Sequence, residues 1–201
     1  MSVRFATADE IKQWDDHILA NPDGGNILQG KFFAELKQMT GWKTQYVVAD
    51  DIAITAIEKH IFGLGNVWYI PKGPGVDDIE VLQGLIGPLR EFARKQGCFT
   101  VKIEPGLPKG TDIAKLGLLK TQPIQYDFAT IILDLTPDTA TILKEMPQKG
   151  RYAIKRAERD GVTTKAVEAT EENCKIMYDL FQQTATGAGF GIRPASYYYA
   201  F

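Results

Sequence analysis

The order of strand-like and helix-like segments predicts the α/β class, an α+β arrangement of helices around a mixed sheet. Three observations carry this prediction. Runs of β-branched and aromatic residues recur at strand length. A long segment, Asp78–Gln96, repeats apolar residues at helical spacing between two such runs. Clusters of glycine, proline and aspartate mark the borders between segments.

Taken in order, Val3–Ala6 reads as a short strand. Thr7 or Asp9 caps a helix to about Leu19, with Ile11, Trp14, Ile18 and Leu19 in one apolar stripe. After the turn Pro22-Asp23-Gly24-Gly25, a second helix is predicted over Lys31–Met39 and stopped by Gly41. Strands Thr44–Ala49, Ile52–His60 and Asn66–Ile70 follow, separated by Asp50-Asp51 and Gly63-Leu64-Gly65. Pro71-Lys72-Gly73-Pro74-Gly75 ends that pattern sharply. Helix Asp78–Gln96 places Leu82, Leu85, Ile86, Leu89, Phe92 and Ala93 on one face, and Gly97 closes it. Phe99–Ile103 is a strand, and Tyr126–Leu135 is a long β-branched strand after an irregular stretch.

The character changes at Thr136. Pro137 opens a helix to about Met146, and Lys149–Asp160 is a strongly basic helix. A strand over Val162–Val167 and a helix over Thr170–Thr186 follow. Tyr197-Tyr198-Tyr199-Ala200-Phe201 then opens an aromatic element with no polar tail. Aromatic side chains carry large apolar areas that need a partner, so the expectation is the N-terminal part of a longer protein.

The 201 residues are 44% hydrophobic and 24% charged, ordinary for a globular protein. A net charge of -2 argues against a general nucleic-acid coat but leaves room for a local basic patch. Met1–Phe5 has no apolar core and is followed by Asp9, Glu10, Asp15 and Asp16, unlike a secretory leader. No run approaches the roughly 18 apolar residues of a membrane span. A cytoplasmic location is expected. Cys98 and Cys174 lack metal spacing and read as small buried hydrophobes.

Several constellations carry candidate chemistry. Phe33 and Lys37 lie one helical turn apart, so Lys37 is either an anion ligand at a cleft or a solvated helix lysine. In Trp68–Gly75, two prolines flank Lys72-Gly73 and stiffen the backbone, as suits a ligand turn or a plain strand exit. Glu104 ends a strand beside Pro105, where it could orient or deprotonate an amine, or else pair with Lys102. Between Lys144 and Lys165 seven Lys/Arg face three Asp/Glu, a local +4. Arg151, Lys155 and Arg159 share one helix face, which is a phosphate-binding surface or simply a solvated one. No Ser-His-Asp, Cys-His, metal or Gly-rich phosphate motif is visible.

Taken together, these segments resemble the FemA/FemB/FemX family of peptidoglycan-bridge aminoacyltransferases. The ordered series runs from Ile27-Leu28-Gln29 through Lys37 and Gly41-Trp42, then Tyr69–Pro74 and Lys102–Pro105. It continues with Lys149–Ala157, Gly161-Val162, Phe190-Gly191-Ile192-Arg193 and Tyr197-Tyr198. The resemblance implies an acetyltransferase-like (GNAT-type) first domain, residues 1–147, and the beginning of a similar second domain, residues 148–201. It implies transfer of an amino acid from aminoacyl-tRNA to the stem peptide of a peptidoglycan precursor. That precursor is lipid-linked or UDP-linked, and a lipid-linked one would bring peripheral membrane contact. The reaction needs no metal and no cofactor.

The roles implied are Glu104 at the amine, Lys37 at a precursor phosphate, and Tyr69 and Lys72 as cleft wall. Arg151, Lys155 and Arg156 are the candidates for tRNA or phosphate contact. Family proteins are longer, so this chain alone is expected to be inactive. Two other readings stand beside this one. The first is a non-catalytic peptide- or partner-binding module. The second is an acyl-CoA-dependent N-acetyltransferase, for which no Q/R-x-x-G-x-G/A loop is found.

Overall fold

The computed structural model describes residues 1–124, 131 and 133–200. The chain forms two compact units, the first built chiefly from Met1–Tyr126 and the second from Asp127–Tyr199.

In the first unit, β1 (Val3–Phe5) leads into α1 (Ala8–Lys12) and α2 (Trp14–Leu19). Thr7 and Glu10 close a reciprocal capping box at the start of α1. The single helix expected here is interrupted at Gln13, whose backbone leaves the helical region at φ -105° and ψ 27°. The chain resumes at Trp14, which is fully buried and bonded through its indole to the sheet. Leu19 falls outside the buried stripe and is exposed. A short 3-10 turn, Ile27–Gln29, precedes α3 (Lys31–Met39), and Gly41 at φ 82° carries the chain away from it.

Strands β2 (Lys43–Ala49), β3 (Ile52–Ile61) and β4 (Gly65–Ile70) are antiparallel neighbours, with β1 antiparallel to β2 at one edge. Helix α4 (Ile79–Lys95), capped by Asp78, crosses over to β5 (Cys98–Ile103), which pairs with β4 in parallel. A parallel pair requires such a crossover. The sheet order is β1-β2-β3-β4-β5.

Register divides the side chains between two faces. Val47, Ala49, Ile52, Ile54, Ala56, Trp68 and Ile70 pack with Leu82, Leu85, Leu89 and Ala93 of α4, and Val101 and Ile103 border that core. On the opposite face Trp14 and Ile18 pack against Ala53, Tyr46 and Val48. Ile52–Glu58 are buried at every position, as a strand covered on both faces requires. The alternating rule that places Trp68 and Ile70 toward α4 places Tyr69 on the other face, with Ile57 and Lys102 as its cross-strand neighbours.

The second unit contains α5 (Thr139–Glu145, capped by Asp138), α6 (Gln148–Arg159), α7 (Glu171–Ala188, capped by Thr170) and α8 (Ala195–Ala200). The strand expected over Val162–Val167 does not form. Val162 and Val167 are exposed, and residues 162–167 have no strand to pair with among the described residues. The expected strand Tyr126–Leu135 lies for the most part outside the described residues. The aromatic segment becomes a helix, with the Tyr198 ring tilted against Tyr178 at 5.7 Å and against Phe181 at 5.6 Å between centroids.

Candidate functional site

Strand β4 pairs only with the Ile57–Ile61 half of β3. Residues 52–56 therefore present peptide groups toward β4 that no strand satisfies among the described residues, although buried peptide groups require partners. Two side-chain amides supply them. Asn21 donates to Ala53 O and accepts from Ala53 N, both at 2.9 Å. Gln29 donates to Thr55 O at 3.1 Å and accepts from Thr55 N at 2.8 Å. The Gln29 amide also donates to Pro71 O at 2.7 Å, tying β3 to the turn that follows β4. Trp14 Nε1 donates to Thr55 Oγ1 at 2.8 Å, and Thr55 Oγ1 donates in turn to Gln29 O. Both amide side chains are almost fully buried.

These amides explain the composition of Pro71–Gly75. A methyl group at Gly73 would sit 2.9 Å from Gln29 Cδ and from Ile70 Cγ2, and one at Gly75 would sit 2.9 Å from Asn21 Cβ and Cγ. Only glycine fits at either position. Between them the Gly73-Pro74 peptide is cis. Lys72 is held at φ 46°, a left-handed conformation that costs a non-glycine residue roughly 1–2 kcal/mol. Backbone strain of this kind collects where a side chain must be aimed.

The same turn fixes Glu104. Its backbone N–H donates to Gly73 O at 3.0 Å and to Ile70 O at 3.2 Å, which extends the β4–β5 pairing beyond the strands. Its carboxylate accepts from Tyr69 OH at 2.5 Å on Oε2 and from Ile124 N at 2.6 Å on Oε1. The Lys102–Glu104 pair left open by the sequence does not form. Lys102 Nζ instead donates to Thr121 Oγ1 at 2.8 Å and to Gln122 O, so Lys102 of β5 and Glu104 just beyond it hold segment 121–124 by two side chains.

Of the residues expected to form the site, the structure joins Tyr69 and Glu104 directly and places Lys72 in the turn that anchors Glu104. Lys37 is buried on the inner face of α3, its ammonium 5.0 Å from the Phe33 ring. Helix α3 packs on β2 and β3, on the face that carries Tyr69. Lys37 is thus not the solvated lysine that its helix position alone allows.

In the second unit, Arg151, Lys155 and Arg156 lie on α6 as expected. Arg151 donates to Lys144 O at 3.1 Å and to Met146 O, satisfying the last carbonyls of α5. Arg156 contacts Asp160 at 3.4 Å, while Arg159 lies over the Tyr152 ring at 5.8 Å. Lys155 makes no ion pair among the described residues.

Sequence reasoning did not single out Asn21 and Gln29 as connectors, nor Glu58. Glu58 is buried on β3, where it accepts from Trp68 Nε1 at 2.7 Å and Gln45 Nε2 at 3.1 Å. Burial, and then the Glu58 carboxylate, push the Cys98 thiol up to about 11. Cys98 is therefore a protonated packing residue and not a nucleophile. Among the described residues no group of three His, Cys, Asp or Glu is placed to hold a metal ion. No described helix is long and apolar enough to cross a membrane.

A family model described as the FemAB family matches residues 9–115 and 116–201. A lipid II:glycine glycyltransferase of Staphylococcus aureus strain MRSA252 is 25% identical over 208 residues, which take in 93% of this chain and 49% of that protein. A protein of the same name from Staphylococcus aureus strain NCTC 8325 / PS 47 is 24% identical with the same coverage. The chain spans about half the length of the curated relatives it matches.

Proposed function

The chain belongs to the FemAB family, and from that premise we propose that it serves an aminoacyltransferase of peptidoglycan-bridge synthesis. Its mixed sheet with helices on both faces is the acetyltransferase-like arrangement of that family. The reaction proposed moves an amino acid from aminoacyl-tRNA to an amine on the stem peptide of a lipid-linked or UDP-linked precursor. The observation that carries this reading is the Tyr69–Glu104 pair, built at the end of β4 and β5 by a strained turn. The relatives named lipid II:glycine glycyltransferase support it.

In the proposed reaction the neutral amine attacks the ester carbonyl of the charged tRNA. A carbon–nitrogen bond forms, and the bond to the ribose oxygen breaks. The amine loses a proton and the ribose oxygen gains one. Among the described residues each carboxylate oxygen of Glu104 receives one hydrogen bond, and each has a further lone pair with which to accept an amine N–H. Glu104 orients the amine and takes its proton, and Tyr69 fixes the carboxylate plane. Lys37 and Lys72 bind the precursor from α3 and from the turn. Lys155 and Arg156, with Arg151, offer α6 to tRNA phosphates.

The test is Glu104→Gln, made in a protein extended to the length of the relatives and assayed with charged tRNA and a UDP-linked muropeptide. Loss of a positioned base costs on the order of 10²–10⁴ in rate, so turnover should fall at least 100-fold while muropeptide affinity stays within threefold. Undiminished turnover refutes the role of Glu104. Loss of affinity with no measurable turnover in the parent favours the non-catalytic binding module.

A further inference from the structure

The β3–β4 hairpin projects beyond its neighbour β2, which reaches only to Lys43, opposite Glu58, while β3 continues to Ile61. Its turn is tight. Leu64 N donates to Ile61 O at 3.1 Å, and Gly63 supplies a left-handed φ of 78°. Turn corners are ordinarily polar, glycine or proline, yet the crest here reads Ile61-Phe62-Gly63-Leu64. Phe62 is 96% exposed and Leu64 64%, so a closed turn holds two large apolar side chains out in solvent.

Cations surround that crest. Lys59 lies 5.3 Å over the Trp42 ring, at the base of the projecting hairpin, and Lys43 follows Trp42. Arg94 and Lys95 end α4, and Asn66 of β4 fastens that helix end to the hairpin. The Asn66 side chain donates to Gln96 O at 3.1 Å, and its backbone N–H donates to Gly97 O at 2.9 Å. Lys43 and Lys95 meet Glu58 and Glu91 at 3.7 and 3.1 Å, whereas Lys59 and Arg94, both exposed, make no ion pair among the described residues. This excess of positive charge sits in a chain whose net charge is -2.

An apolar crest inside a basic collar complements the surface of an anionic bilayer. Aromatic and aliphatic side chains enter the headgroup boundary, and cations meet the lipid charges around them. A stable protein partner would need roughly 800 Å² of matched surface on this side, more than one hairpin tip offers. A bilayer requires no matched shape. We propose that the β3–β4 hairpin docks the first unit on an anionic lipid surface, with Phe62 and Leu64 in the headgroup boundary and Lys59 and Arg94 on the lipid charges. Tyr69 lies toward the opposite end of β4, with Glu104 beside it, so this contact does not depend on the transfer chemistry.

The test sediments the chain with vesicles of phosphatidylcholine and phosphatidylglycerol in equal parts, and with phosphatidylcholine alone. Each cation near an anionic surface is worth roughly fivefold in partition, so the mixed vesicles should bind at least about tenfold more tightly. Phe62→Ser/Leu64→Ser changes two exposed turn positions and should leave the melting temperature unchanged while weakening that binding at least tenfold. Lys59→Gln/Arg94→Gln should weaken binding to the mixed vesicles alone. A chain that stays in the supernatant overturns the proposal. Equal binding by the Phe62→Ser/Leu64→Ser variant overturns it too, since the contact would then lie elsewhere on the chain. Equal binding by the Lys59→Gln/Arg94→Gln variant overturns the assignment to an anionic surface. Self-association without lipid that disappears in Phe62→Ser/Leu64→Ser would assign the crest to a second copy instead.

Discussion

The phenol of Tyr69 donates to Oε2 of Glu104 across 2.5 Å, joining residues 35 positions apart. They meet because β4 and β5 pair in parallel with Tyr69 opposite Lys102, which sets Glu104 diagonally across on the same face. Removing the phenol oxygen leaves the carboxylate, among the described residues, with the Ile124 amide. A hydrogen bond to a charged group contributes about 1.5–3 kcal/mol, and partial exposure reduces that. Tyr69→Phe should therefore lower unfolding free energy by about 1–2 kcal/mol, read as a shifted urea midpoint at constant slope. An unshifted midpoint would show that the contact contributes nothing to folding.

Gln29→Leu preserves volume but strips partners from Thr55 N, Thr55 O and Pro71 O together. Each buried orphan costs about 1–3 kcal/mol, so the loss should reach about 3 kcal/mol or more. Hydrogen exchange at the Thr55 amide should accelerate with it. Protection equal to the parent's would mean that another group takes over the role.

Gly75→Ala drives a methyl group into Asn21. Overpacking of this kind costs about 1–3 kcal/mol. The cost should shrink in an Asn21→Ala background, because the two residues share one space. Strict additivity in the double-mutant cycle would contradict the proposed contact.

Arg4 and the Thr7 amide hold the Glu10 carboxyl near 2, below its ordinary 4.5. A depressed carboxyl stabilises the fold above its unfolded pKa, and that contribution is lost as pH falls from 4.5 toward 2. Arg4→Met should lower stability at neutral pH, where the contribution is fully present, by a small amount because the pair is largely exposed, and flatten this part of the acid-denaturation profile to the same extent. An identical profile in the variant would remove Arg4 as the cause.

Under the proposed function, tRNA affinity should fall steeply with salt, because each neutralised phosphate releases a counterion. Lys155→Glu with Arg159→Glu should reduce the slope of log affinity against log salt by about 2 and leave muropeptide affinity unchanged. Equal slopes would make α6 a solvated face.

Helices α3 and α4 were legible because their signals are local: Asp78 as a cap, Gly41 and Gly97 as stops, and a stripe of Leu82, Leu85 and Leu89. Tyr69 and Glu104 were each legible as candidates, but not their bond, which depends on which strand β5 joins. Asn21 gave no comparable signal, and Gln29 stood in the family series without a role. Their work is to complete a strand far away in sequence, and a lone amide carries no periodicity. The Val162–Val167 alternation misled for the converse reason: a pattern suited to a sheet needs an adjacent strand to pair with.

The amides that finish β3 also decide what else can join it. An open strand edge is a template on which another chain can extend the sheet. A side-chain amide presents one donor and one acceptor and then ends, so it satisfies a peptide group without offering a new edge. Asn21 and Gln29 occupy the two places where an intruding strand would have to bond, at Ala53 and Thr55. The central strand thus stays half-paired by backbone and still closed to aggregation, guarded by two residues of the N-terminal segment.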